Sequence, residues 1–217
     1  MQPNQQVPMA RPAGAGDDSS GPLTDDQESY TIRRQVFKIF GAAFHVVDSA
    51  GNLVAYSKQK AFKLREDIRV YTDESMQQEM LTIQARQIID FGASYDVRDP
   101  TAGNTPLGSL RRKGFTSEFW RDSWLIFSPE GQQIGMIQEE SGVLAFLRRY
   151  IDFMAMLVPQ KFHVLVGSTP VAHMRTHFSP FVYRLSVGFV PNLGRYISPR
   201  LVLASAILIA AIEGRQG

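Results

Sequence analysis

From Tyr30 onward, apolar residues recur at every second position in short runs, and each run is closed by turn chemistry. A period of two rather than 3.6 predicts β-strands with one buried face. YTIRRQVFKIF over 30–40 alternates in part. AAFHVVD over 42–48, Ser49-Ala50-Gly51-Asn52 and LVAYS over 53–57 read as a hairpin closed by a Gly/Asn turn. The rhythm repeats at 68–73, 80–86, 94–99, 107–113, 124–128, 134–140, 143–151, 162–167, 170–174 and 181–189. About a dozen strands at spacings of roughly 8–12 residues predict an all-β sandwich or barrel. The stretch 74–80 reads as a short helical link, and the lack of a short internal repeat disfavours a propeller or solenoid.

Two segments break this rhythm. Residues 1–28 are rich in Pro, Gly, Gln, Asp and Ser with almost nothing to bury, which predicts a disordered tail ahead of a domain over 29–217. At the other end, Ser198-Pro199 sets an N-cap residue before a proline at the first helical position. LVLASAILIAAIE then runs to Gly214, a natural stop. Thirteen residues without alternation suit a helix better than a strand, and this helix is apolar all round, so every face needs cover. Its uninterrupted apolar run, Leu201 to Ile212, makes about 18 Å of helix against a hydrocarbon core of roughly 30 Å. That is too short to span a bilayer.

Two environments would cover such a helix: a membrane-inserted tail, or a sheet closed around it. A wall at roughly 10 Å from the helix axis has a circumference of about 63 Å. Tilted strands take about 6 Å each, giving on the order of ten strands. The strand count fits, and closure removes exposed sheet edges. The expected architecture is therefore mainly β, a closed antiparallel barrel of about twelve strands around a central hydrophobic C-terminal helix.

Composition narrows the chemistry. With 44% apolar and 20% charged residues, the 217-residue chain is not globally disordered, and a net charge of +2 is too small for a nucleic-acid footprint. Zero cysteine excludes disulfides, thiolate nucleophiles, iron–sulfur clusters and Cys-ligated zinc. Isolated Val7, Met9 and Leu23 do not make the apolar core of a secretory signal. The expectation is a cytoplasmic protein, peripheral at the membrane, with no transmembrane span.

The runs YDVRDPTAGNTPLGSLRRKGF (95–115), RDSWLIFSPEGQQIGMIQEES (121–141), LAFLRRY (144–150) and SPRLVLASAILIA (198–210) carry a family likeness. In order and texture the chain resembles the scramblase-like and LURP-one-related branch of the Tubby C-terminal superfamily, over roughly residues 30–213. The resemblance implies a twelve-stranded barrel around a hydrophobic C-terminal helix. It also implies a link to phosphoinositide or phospholipid surfaces, with LURP-one-related roles largely unassigned. Scramblases carry an acidic calcium-binding segment before the terminal helix. Here FVYRLSVGFVPNLGRYISPR has no Asp or Glu, which puts calcium control in doubt.

Arg111, Arg112 and Lys113 form the densest basic run, and Arg148 with Arg149 a second. Arginine forks and lysine point charges suit phosphate oxygens, so these five residues are the candidates for an anionic lipid head group. Alternation lets at most two of the first three share the outer face, unless the strand ends there. The competing reading is a solvated surface, with Glu118, Asp122, Glu139 and Glu140 as neutralising neighbours.

Other candidates are weaker. His173 and His177 stand four apart, but PVAHMRTHFSPF does not read as a helix and offers no third ligand, so no metal is expected. His45 and His163 read as strand histidines, and Glu139-Glu140 as water-facing carboxylates at a hairpin turn. Trp120 and Trp124 with Phe115, Phe119 and Phe127 read mostly as core. No phosphate-cradling glycine loop and no nucleophile elbow occurs. The reading is a non-enzymatic, cofactor-free barrel whose surface binds anionic phospholipid, with scramblase-like lipid movement as its extension. The alternative is a soluble scaffold that recruits a protein partner.

Overall fold

The computed structural model describes residues 29–37, 41–59, 67–87, 93–113, 123–140, 159–177 and 182–213. The expected tail over 1–28 and the expected strand over 143–151 lie outside them. The described residues form twelve strands: β1 (Ser29–Phe37), β2 (Gly41–Val47), β3 (Leu53–Gln59), β4 (Asp67–Tyr71), β5 (Glu79–Gln87), β6 (Ser94–Asp99), β7 (Thr105–Arg112), β8 (Ser123–Phe127), β9 (Gln133–Glu139), β10 (Lys161–Val166), β11 (Thr169–His177) and β12 (Tyr183–Phe189). One helix follows, α1 (Pro199–Glu213). Each strand pairs antiparallel with the next in the chain, and β1 also pairs with β12, from Ser29↔Gly188 to Arg34↔Tyr183. The sheet therefore closes into a barrel with no free edge among the described strands.

The period-two pattern becomes the wall. Ile68 and Val70, Leu81 and Ile83, Tyr95 and Val97, Trp124 and Ile126, and Leu185 and Val187 point inward and are buried. What they pack against is α1, every residue of which from Leu201 to Ile212 is buried. The helix is about 22 Å long at 1.5 Å per residue and is enclosed by strands, which is why it is apolar on all faces. Ser205 is the one polar side chain in that stretch, and its hydroxyl donates within the helix to the carbonyls of Leu201 and Val202 at 3.0 and 2.8 Å.

α1 starts where the sequence sets its proline, and the Leu201 and Val202 amides donate to the Ser198 carbonyl at 3.0 and 3.2 Å. It enters the barrel at the end where the short turns β2–β3, β4–β5, β6–β7, β8–β9 and β10–β11 lie. The first of these is the expected Gly/Asn turn: Gly51 has φ +87°, and the Asp48 carboxylate accepts from the Asn52 amide at 2.8 Å and its side chain at 3.0 Å. The side-chain bond from Asn52 leads the contacts that hold the Asp48 carboxyl below its usual pKa.

One expected element is absent. Residues 72–78 form a polar turn instead of a helical link: the Thr72 amide donates to the Gln78 carbonyl at 3.0 Å and the Ser75 amide to the Asp73 carboxylate at 2.8 Å. Asp and Ser offer the backbone local partners that compete with helix formation.

Candidate functional site

Strands β5 to β8 carry a groove of about 260 Å³ on the outer wall. Its charged lining comes from three adjacent strands: Arg86 of β5, Asp96 and Arg98 of β6, and Arg111 of β7. Register gathers residues that are far apart in sequence. Ser94 lies opposite Arg111, Asp96 opposite Ser109, and Thr82 opposite Arg98. A bulge between Val97 and Arg98, and another between Ile126 and Phe127, bend the wall on either side of Gly108 and Ser109.

Gly108 holds the groove's floor to the helix. Its φ is +145°, and a side chain there would collide with the Phe127 carbonyl and press on Leu201 of α1. The strand can approach β8 this closely only as glycine.

The three guanidiniums are held differently. Arg86 grips both Asp96 oxygens, at 2.6 and 3.1 Å, and this bond with its charge raises the Arg86 pKa above its ordinary value. The groove's one charged acid is thereby occupied. Arg98 reaches the Asn104 carbonyl at 3.4 Å. Arg111 lies over the Phe127 ring with its central carbon 4.9 Å from the centroid. Neither Arg98 nor Arg111 has a carboxylate partner among the described residues. The arrangement lines a small groove with two guanidinium forks that no described carboxylate engages, a chemistry that suits anionic oxygens such as those of phosphate.

The basic run 111–113 divides as strand alternation requires. Arg111 faces outward and is exposed. Arg112 shares the inward side with Leu110, half-buried, its guanidinium 5.9 Å from the Trp124 ring. Lys113 is exposed just past the strand, its amide donating to the Ser123 carbonyl at 2.9 Å. Arg148 and Arg149 lie outside the described residues, as do Glu118, Asp122, Phe115, Phe119 and Trp120. Arg86 and Arg98 were missed because each is a lone cation in an alternating run. Only strand register shows that they join Arg111.

The carboxylates at the end of β9 differ from expectation. Glu139 continues the inward series Gly135, Ile137, Glu139 and is 3% exposed, whereas Glu140 faces out and pairs with Lys161 at 3.2 Å. The hairpin turn expected at 141–142 lies outside the described residues; β9 itself still alternates through 139. Trp124 is core, as expected, while Phe127 supports Arg111 from the outer wall.

The histidines lie on strands and face outward. His45 bonds Glu74 at 3.0 Å, and His177 bonds Ser186 at 2.7 Å. His173 lies over Gly188, filling the space a side chain would take, and His163 sits opposite it on β10. No group of three His, Cys, Asp or Glu suited to a metal occurs among the described residues.

A model of the LURP-one-related family matches residues 53–210, more than half of the chain. The matched stretch begins at β3, so β1 and β2, which close the barrel, precede it. No curated protein matches the chain.

Proposed function

The chain belongs to the LURP-one-related family, and we propose that it is a non-enzymatic barrel protein that binds anionic phospholipid at a membrane surface through the Arg98–Arg111 groove. One observation carries this reading: the guanidiniums of Arg98 and Arg111, on adjacent strands and four residues apart in register, line a groove whose single carboxylate is already held by Arg86. Lys113 continues the same outer face. A basic side chain near an anionic membrane contributes about 1 kcal/mol, so the two free forks favour anionic over neutral surfaces by roughly thirtyfold.

Scramblase-like lipid movement is the finer form of this reading. No helix among the described residues is long and apolar enough to cross a membrane, and α1 is enclosed on all sides. Any such movement would therefore use the barrel's outer wall. Co-sedimentation with anionic and neutral vesicles tests the binding, and fluorescent-lipid flipping in proteoliposomes tests the movement. Binding to neither kind of vesicle would overturn the proposal and leave the scaffold reading.

A further inference from the structure

Five successive strands of the wall, β10, β11, β12, β1 and β2, contain no aspartate or glutamate. Among the described residues, carboxylates meet this region at its margins. Glu140 pairs with Lys161 on one side, and Glu74 bonds His45 on the other. Between them Arg33, Arg175 and Arg184 are exposed, and none forms an ion pair with a carboxylate among the described residues.

Register crowds these cations together. Arg184 lies directly opposite Arg33 on one side and His177 on the other. Arg175 lies opposite Ser186, two residues from Arg184, and opposite Lys161. Directly opposed Cα atoms are about 4.5–5.5 Å apart and diagonal ones about 7–8 Å. Like charges facing each other across a sheet destabilise it; solvent screens these exposed side chains in part, and no carboxylate among the described residues pairs with them. An oxyanion seated between the guanidiniums would remove the repulsion and accept their hydrogen bonds.

We infer that Arg33, Arg175 and Arg184, with the Ser186 hydroxyl beside them, form a second binding site, for a ligand carrying neighbouring phosphate groups. One phosphate can engage two of the forks, and the third fork requires another phosphate a few ångströms away. The site is independent of the Arg98–Arg111 groove. Five strand steps separate β12 from β7, and five separate β1 from β6, so the two faces look in opposite directions. A flat membrane meeting one face leaves the other turned away. Arg33 also lies on β1, ahead of the stretch that the family match covers.

The test titrates the full chain at about 0.15 M salt, where diffuse attraction is screened beyond about 8 Å. The soluble probe is inorganic tripolyphosphate. The lipid probe is phosphatidylcholine vesicles with and without a phosphatidylinositol bisphosphate. In the soluble arm, Arg33→Gln with Arg184→Gln weakens binding at least tenfold without lowering the thermal midpoint. Lys58→Gln with Arg195→Gln, which removes equal charge elsewhere, weakens it less than twofold. Binding only to bisphosphate vesicles, lost in the Arg33/Arg184 variant, also supports the site and makes a head group its source. Binding only to tripolyphosphate, lost in the same variant, makes the source a soluble polyphosphate. Equal binding by the wild type and the Arg33/Arg184 variant, equal loss in the control, or no binding to either probe overturns the inference.

Discussion

The Arg200 guanidinium, in the first turn of α1, donates to the Asp99 carboxylate at the end of β6, 101 residues earlier in the chain. The other Asp99 oxygen accepts from the Thr101 amide at 3.0 Å and its hydroxyl at 2.6 Å. A cation at a helix N-terminus is unfavourable unless an anion answers it, so Asp99 both compensates Arg200 and ties the helix entrance to the wall. Asp99→Ala is expected to lower stability by about 1–2 kcal/mol, through the lost Thr101 bonds and the uncompensated arginine. Denaturant unfolding of the purified variant measures it.

The same carboxylate sets an acid dependence. Burial pushes the Asp99 pKa up, but the Thr101 bonds and the Arg200 charge outweigh it and hold the carboxyl below its ordinary pKa. A group depressed in the folded state contributes stability that is present above its unfolded pKa and is lost as pH falls through the folded one. The gap in thermal midpoint between wild type and Asp99→Asn is therefore expected to be constant at neutral pH and to shrink below about pH 4. A gap unchanged down to pH 2 contradicts this.

Leu203 and Ile207 lie within the enclosed stretch of α1, 6% and 0% exposed. Leu203→Asp or Ile207→Asp loses about 2–5 kcal/mol of apolar packing and adds several more for an unpaired carboxylate inside the barrel, together comparable with the roughly 5–15 kcal/mol that holds a whole domain folded. Circular dichroism of either variant is expected to show loss of cooperative unfolding. A variant that stays folded and loses only membrane association contradicts the enclosed helix.

Gly108→Ala is expected to cost about 3 kcal/mol, because a methyl group there meets the Phe127 carbonyl at a backbone angle that L-residues rarely adopt. Gly131 has a positive φ in the β8–β9 turn with open space around it, so Gly131→Ala is expected to cost about 1 kcal/mol. Thermal melts of the pair separate steric contact from conformational strain.

Adjacent arginines have opposite roles. Arg112→Ala removes packing against Trp124 and is expected to lower stability by about 1 kcal/mol with vesicle binding unchanged. Arg111→Ala leaves stability within about 0.5 kcal/mol and reduces recovery on anionic vesicles. A melt and a sedimentation assay on each variant distinguish the two.

Much of the fold is legible in the sequence because its signals are local. The Gly51-Asn52 turn, the Ser198-Pro199 helix start and the all-apolar run at 201–212 each act within a few residues. The apolar run also implies its own enclosure. The 72–78 segment misleads because Asp73 and Ser75 satisfy the backbone locally, against a composition that suits a helix.

The groove is less legible because it depends on register. Arg111 stands out within a basic triplet, yet alternation turns Arg112 inward. Arg86, Arg98 and the Arg33–Arg184 pair acquire neighbours only when separate strands align. Nothing in a one-dimensional pattern shows which lone arginine will face another.

Vesicle co-sedimentation of the wild type and Arg98→Ala/Arg111→Ala, at about 0.15 M and then 0.5 M salt, decides whether the groove holds the protein on anionic lipid. The wild type is expected to be recovered strongly on phosphatidylserine-containing vesicles and little on phosphatidylcholine alone. That recovery is expected to be lost in the double variant and at the higher salt, with the variant's thermal midpoint unchanged. Equal recovery of wild type and variant on anionic vesicles, or recovery indifferent to lipid charge, would contradict binding through the groove.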